Sequence, residues 1–148
     1  WRIPTIYGTD LAPQLDEAAA GAGLSAEQAI HDLGAARVRV LSIGFAPGQP
    51  YLGPLAPKWD LARQTRLTAQ VPEGALVLAV RQFTLFAAPA PTGWRHVGQT
   101  AFRCFRRGER HPFPLAPGDE VRFEPAERAD YGRLREDEAG GATCEEIA

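Results

Sequence analysis

The chain has no methionine, only two cysteines in 148 residues, and no apolar run long enough for a transmembrane helix, which needs about 18 to 20 residues. It also lacks a charged-then-apolar leader and any basic stripe suited to nucleic acid. Lys and Arg number 16 against 18 Asp and Glu, for a net charge of −2. These absences leave a cytoplasmic protein with reduced thiols as the expectation, with no membrane and no nucleic acid among its partners. A chain that opens on Trp1 and never uses methionine is expected to be an excised domain or to have lost its beginning. Neither cysteine has a Cys-x-x-Cys or nearby histidine partner, so no metal is expected. There is no Gly-x-Ser-x-Gly, no phosphate loop and no Ser–His–Asp order at known motifs.

What is present fits one globular domain. Hydrophobic residues make up 45% and charged residues 23%, an ordinary balance at a length that supports a real core. Ile3 to Tyr7 is apolar and suits an edge strand. Gln14 to Ala20, after Pro13, is built from good helix formers. Ser25 and Gln28 fit a capping box opening a second helix, for which Gly34 supplies the stop. From Val38 the pattern alternates as a strand does, while residues 54–74 read as a long irregular excursion. Ala75 to Val80 suits a strand buried on both faces. Strands are also expected over Thr84–Ala88, Trp94–Val97, Thr100–Phe105 and Glu120–Glu124. Short strands with Gly and Pro turns, after one helical region, indicate a mostly β barrel or sandwich. The charged, then small and polar end suits a flexible tail over residues 133–148.

The segment Gly44-Phe45-Ala46-Pro47-Gly48-Gln49-Pro50-Tyr51-Leu52-Gly53 stands out. Its glycines and prolines exclude a regular helix or a central strand and leave a shaped loop carrying Phe45 and Tyr51. Such loops are common places for binding. Other residues carry chemistry as single groups. His31 can act as a general base or carbonyl donor, or be a solvated helix-face histidine. Gln82 can pair with a planar amide, or make a structural hydrogen bond. Arg63 and Arg66 can grip a carboxylate, or be solvated loop charges. Tyr51, Phe45 and Trp94 can line a pocket or belong to the core. His96 and His111 fit no constellation.

The order of these blocks resembles a known family, the KipI-type or allophanate hydrolase subunit 1 proteins. That family includes the B subunit of bacterial ATP-dependent 5-oxoprolinase, and related domains belong to the carboxyltransferase part of urea carboxylase. The resemblance spans about residues 3 to 126. It rests on residues 44–53, on Val71-Pro72-Glu73-Gly74-Ala75, on Gln82, on Ala90-Pro91-Thr92-Gly93-Trp94 with Gly98-Gln99-Thr100, and on Pro117-Gly118-Asp119-Glu120-Val121-Arg122-Phe123. His31-Asp32 stands where the family has His-Thr. Gln49 replaces an aromatic, Ala62 a proline, Phe83 a threonine, and Thr68 and Gln99 stand where arginines are usual.

The resemblance implies a cyclophilin-like β-barrel over residues 1–132, with one or two short helices near its start and the family's N-terminal ferredoxin-like domain absent. It implies a subunit of an ATP-dependent 5-oxoprolinase or an allophanate- or urea-type amide hydrolase. ATP would serve the complex without a phosphate loop in this chain. The implied partner is a second cyclophilin-like subunit, and inhibition of a sensor histidine kinase is the alternative. His31 and Gln82 are then the expected catalytic groups. Phe45, Pro47, Gly48, Tyr51, Arg63, Gly93 and Trp94 are the expected substrate-binding groups.

Overall fold

The computed structural model describes residues 1–147. Nine strands and three short helices follow in the order β1 (Arg2–Tyr7), α1 (Leu15–Gly21), α2 (Ala26–Ala35), β2 (Val38–Ile43), β3 (Pro50–Gly53), β4 (Thr68–Val71), β5 (Ala75–Ala79), β6 (Gln82–Leu85), β7 (Ala90–Thr92), β8 (Arg95–Gln99), β9 (Glu120–Pro125) and α3 (Tyr131–Glu136). Seven strands close into a barrel in the order β1-β8-β5-β6-β3-β2-β9, while β4 and β7 form a separate two-stranded sheet. The mostly β fold with two short helices near the start agrees with the sequence reading.

Alternation sorts the side chains. Leu76, Leu78, Phe83 and Leu85 pack in one cluster with Leu52, Val97, Val121 and Phe123, which fills the barrel interior. Phe83 and Phe123 meet edge to face at 5.3 Å across it. The helices pack on the flank, α1 against β8 and α2 against β9. The capping box forms as the sequence predicts. Ser25 Oγ accepts from Gln28 N at 3.1 Å, and Gln28 Oε1 accepts from Ser25 N at 2.9 Å. Gly34 differs from expectation. It lies inside α2 and is buried, and a Cβ there would come within 2.7 Å of the Pro125 ring. The residue permits close packing of helix on strand instead of ending the helix.

Several other strand expectations are corrected. The segment Ile3 to Tyr7 is not an edge, because β1 pairs with β8 on one side and, in parallel, with β9 on the other. The closing strand lies more than a hundred residues away, beyond any local pattern. Pro50 to Gly53 is a barrel strand between β2 and β6, although its composition argues against a central strand. Pro50 stands at the strand's first residue, a position that tolerates the missing donor. The excursion over 54–74 contains a 3-10 turn at Pro57–Trp59 and β4. Gly98 is within β8, and Thr100–Phe105 forms no strand. Past Arg133, where a frayed tail is expected, the chain completes α3, buries Leu134, and pairs Thr143 with Arg2. Cys104 is buried and Cys144 exposed, both as free thiols.

Candidate functional site

Four adjacent strands set Tyr51, Thr84, Val77 and His96 in register, each opposite the next. Because Phe83 and Leu78 turn inward, this row faces outward. It is nonetheless covered. Val71, Ala75, Val77, Ala79, Phe86 and Trp94 form a second apolar cluster, with Tyr51 and Ala90 packed against it. The sheet of β4 and β7 supplies Val71 and Ala90, so the outer wall of the barrel carries a small core of its own.

Four of the expected site residues meet on this wall. Tyr51 and Trp94 lie edge to face at 6.1 Å. The Arg63 guanidinium stands 5.9 Å from the centre of the Trp94 ring, a cation–π arrangement. The Gly93 carbonyl accepts from Gln64 N at 2.8 Å, which binds the Arg63 segment to the end of β7. Arg63 makes no ion pair among the described residues, and its guanidinium rests on the buried Trp94 ring.

The other five lie elsewhere. Phe45, Pro47 and Gly48 occupy the loop before β3. Gly48 adopts φ 77°, and a Cβ there would fall 2.4 Å from the Cys104 carbonyl oxygen, so the loop closes only with glycine. Phe45 is 80% exposed at φ 70°, a left-handed conformation costly for a bulky residue. It is therefore neither core nor a covered pocket wall. Gln82 opens β6 at the opposite end of the barrel, half-buried beside Gly53. His31 is exposed on α2. Its neighbour Asp32 is the engaged group, accepting from Trp59 Nε1 at 2.7 Å. The His31 ring makes no hydrogen bond among the described residues.

A chain of amides and a histidine, absent from the sequence reading, supports the wall. Gln14 Nε2 donates to Gln64 Oε1 at 2.9 Å, and Gln14 Oε1 accepts from His96 N at 2.8 Å. Gln99 Nε2 donates to the carbonyls of Glu73 and Thr100 at 2.9 and 3.0 Å, so its Oε1 is the acceptor for His96 Nε2 at 3.0 Å. That assignment places the imidazole proton on Nε2. Burial pushes the His96 pKa below its ordinary value, partly opposed by the bonds to Gln99 and Gly98. Glutamines also occupy two of the positions where family motifs differ, and both are buried. Gln49 Oε1 accepts from Ala87 N at 3.1 Å and ties the loop to the end of β6. Gln99 serves as described, while Thr68 opens β4 opposite Thr92. No cluster of three or more metal-ligating side chains exists among the described residues, and no helix there is long and apolar enough to cross a membrane.

Comparison with known proteins places this architecture. The chain is 34% identical over 123 residues to the B subunit of 5-oxoprolinase from Escherichia coli O157:H7, covering 83% of this chain and 56% of that protein. The corresponding 5-oxoprolinase subunit of Bacillus subtilis is 32% identical over 135 residues, covering 91% and 56%. The chain thus spans little more than half the length of these curated relatives. The crystal structure of conserved uncharacterized protein PH0987 from Pyrococcus horikoshii superposes with a TM-score of 0.82 at 32% identity, covering 88% of this chain and 60% of that one. The K. lactis urea amidolyase shares the fold at 21% identity and a TM-score of 0.77, covering 95% and 10%. Residues 1–115 match the model for the carboxyltransferase domain, subdomain C and D, and the chain belongs to that family.

Proposed function

We propose that this chain is part of a subunit of an amide-hydrolysing complex of the 5-oxoprolinase type. In this reading its outer wall binds the substrate's carboxylate. The carrying observation is the convergence of Arg63, Trp94, Tyr51 and Gly93 on one face of the barrel. The 5-oxoprolinase relatives support the cyclic-amide substrate class. Arg63 binds the carboxylate through its fork of donors, and the rings of Tyr51 and Trp94 pack on the flat amide ring. Gln82 and His31 lie away from this cluster, and in this reading they act from one rim of the barrel and not from the wall itself. Phe45, Pro47 and Gly48 form the other rim. ATP drives amide opening and is bound by the complex outside this chain.

The test uses the full-length subunit reconstituted with its second subunit. ATP hydrolysis stimulated by 5-oxoproline is expected. No stimulation by 5-oxoproline, urea or allophanate would overturn the proposal. Arg63→Ala is expected to raise KM at least tenfold, the loss of one charge-assisted contact worth about 1.5–3 kcal/mol. Arg66→Ala, altering an exposed loop charge, is expected to change KM by less than about twofold. Equal effects would refute the role of Arg63. Autophosphorylation of a sensor histidine kinase is expected to be unchanged by added protein.

A further inference from the structure

Residues Arg103 to Phe113 form a basic, aromatic loop that the outer-wall site does not use. Within it Arg103, Arg106, Arg107 and Arg110 stand against a single acid, Glu109, in a chain whose net charge is −2. Outside the loop, six of the twelve Lys and Arg residues are in ion pairs: Arg37, Arg39, Lys58, Arg95, Arg128 and Arg133. None of the four loop arginines has one among the described residues. Two of them stack on rings instead, Arg106 over Phe102 at 5.2 Å and Arg107 over Phe105 at 5.9 Å.

The loop is shaped in the free protein. Arg106 N donates to Pro112 O at 2.7 Å and Glu109 N to Arg106 O at 3.2 Å. Phe105 and Phe113 stack at 5.2 Å, 14° from parallel. Phe113 remains 50% exposed. The Phe45 loop packs against it, with Gly48 beside Cys104 and Phe113. The result is a preformed loop that exposes the Phe113 ring among guanidiniums without ion pairs, beside the loop that exposes Phe45. Arginine and aromatic side chains are the types enriched at the centres of protein interfaces. A contiguous exposed apolar patch rimmed by charge marks such surfaces.

We infer that this loop is a docking surface for an acidic protein face with an apolar centre. Resting on the function proposed above, the occupant is the second subunit of the complex. Unpaired positive charge calls for a negatively charged counterpart. The exposed Phe113 and Phe45 rings favour a protein with an apolar centre over a polyanion.

Binding of the full-length subunit to its purified second subunit, measured by surface plasmon resonance at two salt concentrations, is the test. Wild-type affinity is expected to fall as salt rises. Arg107→Glu/Arg110→Glu is expected to weaken binding at least tenfold, mainly through slower association. Phe113→Ser is expected to speed dissociation. Arg133→Glu, an equal change of charge per site away from the loop, serves as the control and is expected to bind as wild type. Thermal melts check that each variant folds. If wild type binds and the loop variants bind within twofold of it, the docking surface is wrong while the proposed function stands. If wild type does not bind, both fail. Tighter binding to phosphatidylserine vesicles or to single-stranded RNA than to the second subunit would also overturn the inference.

Discussion

His96 shows how a residue without a motif can become central through its surroundings. Its backbone N–H is held by Gln14 and its ring by Gln99, and the side chain is only 5% exposed. Burial disfavours the charged form, so the folded pKa lies below the ordinary 6.5. At pH values between the two, the unfolded chain binds more protons than the folded one. Stability is therefore fully present above about pH 6.5 and is lost as pH falls toward the folded value. In His96→Gln this contribution to the slope is absent. Urea denaturation of both proteins at about pH 7 and about pH 5 is expected to show a larger acid loss for wild type, and parallel losses would disprove the assignment. The residues flanking His96 in sequence carry no trace of this role. Its partners lie 82 and 3 residues away, one just before a helix and one across a bulge.

The two-stranded sheet of β4 and β7 is the element that covers the outer wall of the barrel. It has no strand partner beyond itself and is held by Val71, Ala90, Trp94 and the Gln14–Gln64 bond. An isolated two-stranded ribbon is marginal in water. It is therefore expected to open well before the barrel unfolds, with amide exchange in Thr68–Val71 and Ala90–Thr92 faster than in β5 by several powers of ten. Trp94→Ala removes the ring that links the β4/β7 sheet, Tyr51 and Arg63, and is expected to cost about 3 kcal/mol. Exchange in β4 and β7 as slow as in β5 would refute their independence. Elements differ in how far the sequence reveals them. The capping box at Ser25 and the doubly buried run at Ala75 are local patterns and are readable directly. β3 is hidden behind its prolines and glycines, and Gly34 resembles a helix end because its contact, Pro125, is distant. At the site, Tyr51, Arg63 and Gly93-Trp94 are reachable by motif order. Gln14 and Gln64 are not, because single glutamines carry no spacing signal.

For the molecule as a whole, barrel closure depends on β9. It pairs in parallel with β1 over Arg2–Thr5 and antiparallel with β2 at Val38 and Arg39. The Tyr7 hydroxyl adds a buried bond to Phe123 O at 2.7 Å. Removing everything after residue 115, the end of the family match, would delete β9 and leave β1 and β2 as open edges. Such a chain is expected to aggregate instead of folding, because unpaired edges are templates for other strands. Ending after Ala126 keeps the barrel while removing α3 and the Thr143 bridge to Arg2, so a cooperative melt at lower temperature is expected. Circular dichroism melts of the two truncations separate these outcomes, and a folded, monomeric 1–115 chain would refute the dependence on β9.

The parallel pairing of β1 with β9 also bears on synthesis. The barrel's first strand emerges from the ribosome long before the strand that completes it. Until then the nascent sheet is a curved strip with both ends unpaired, and no earlier strand can take the place of β9. Folding is thus tied to near-completion of this region, and a stalled or prematurely terminated chain exposes two adhesive edges in a crowded cell.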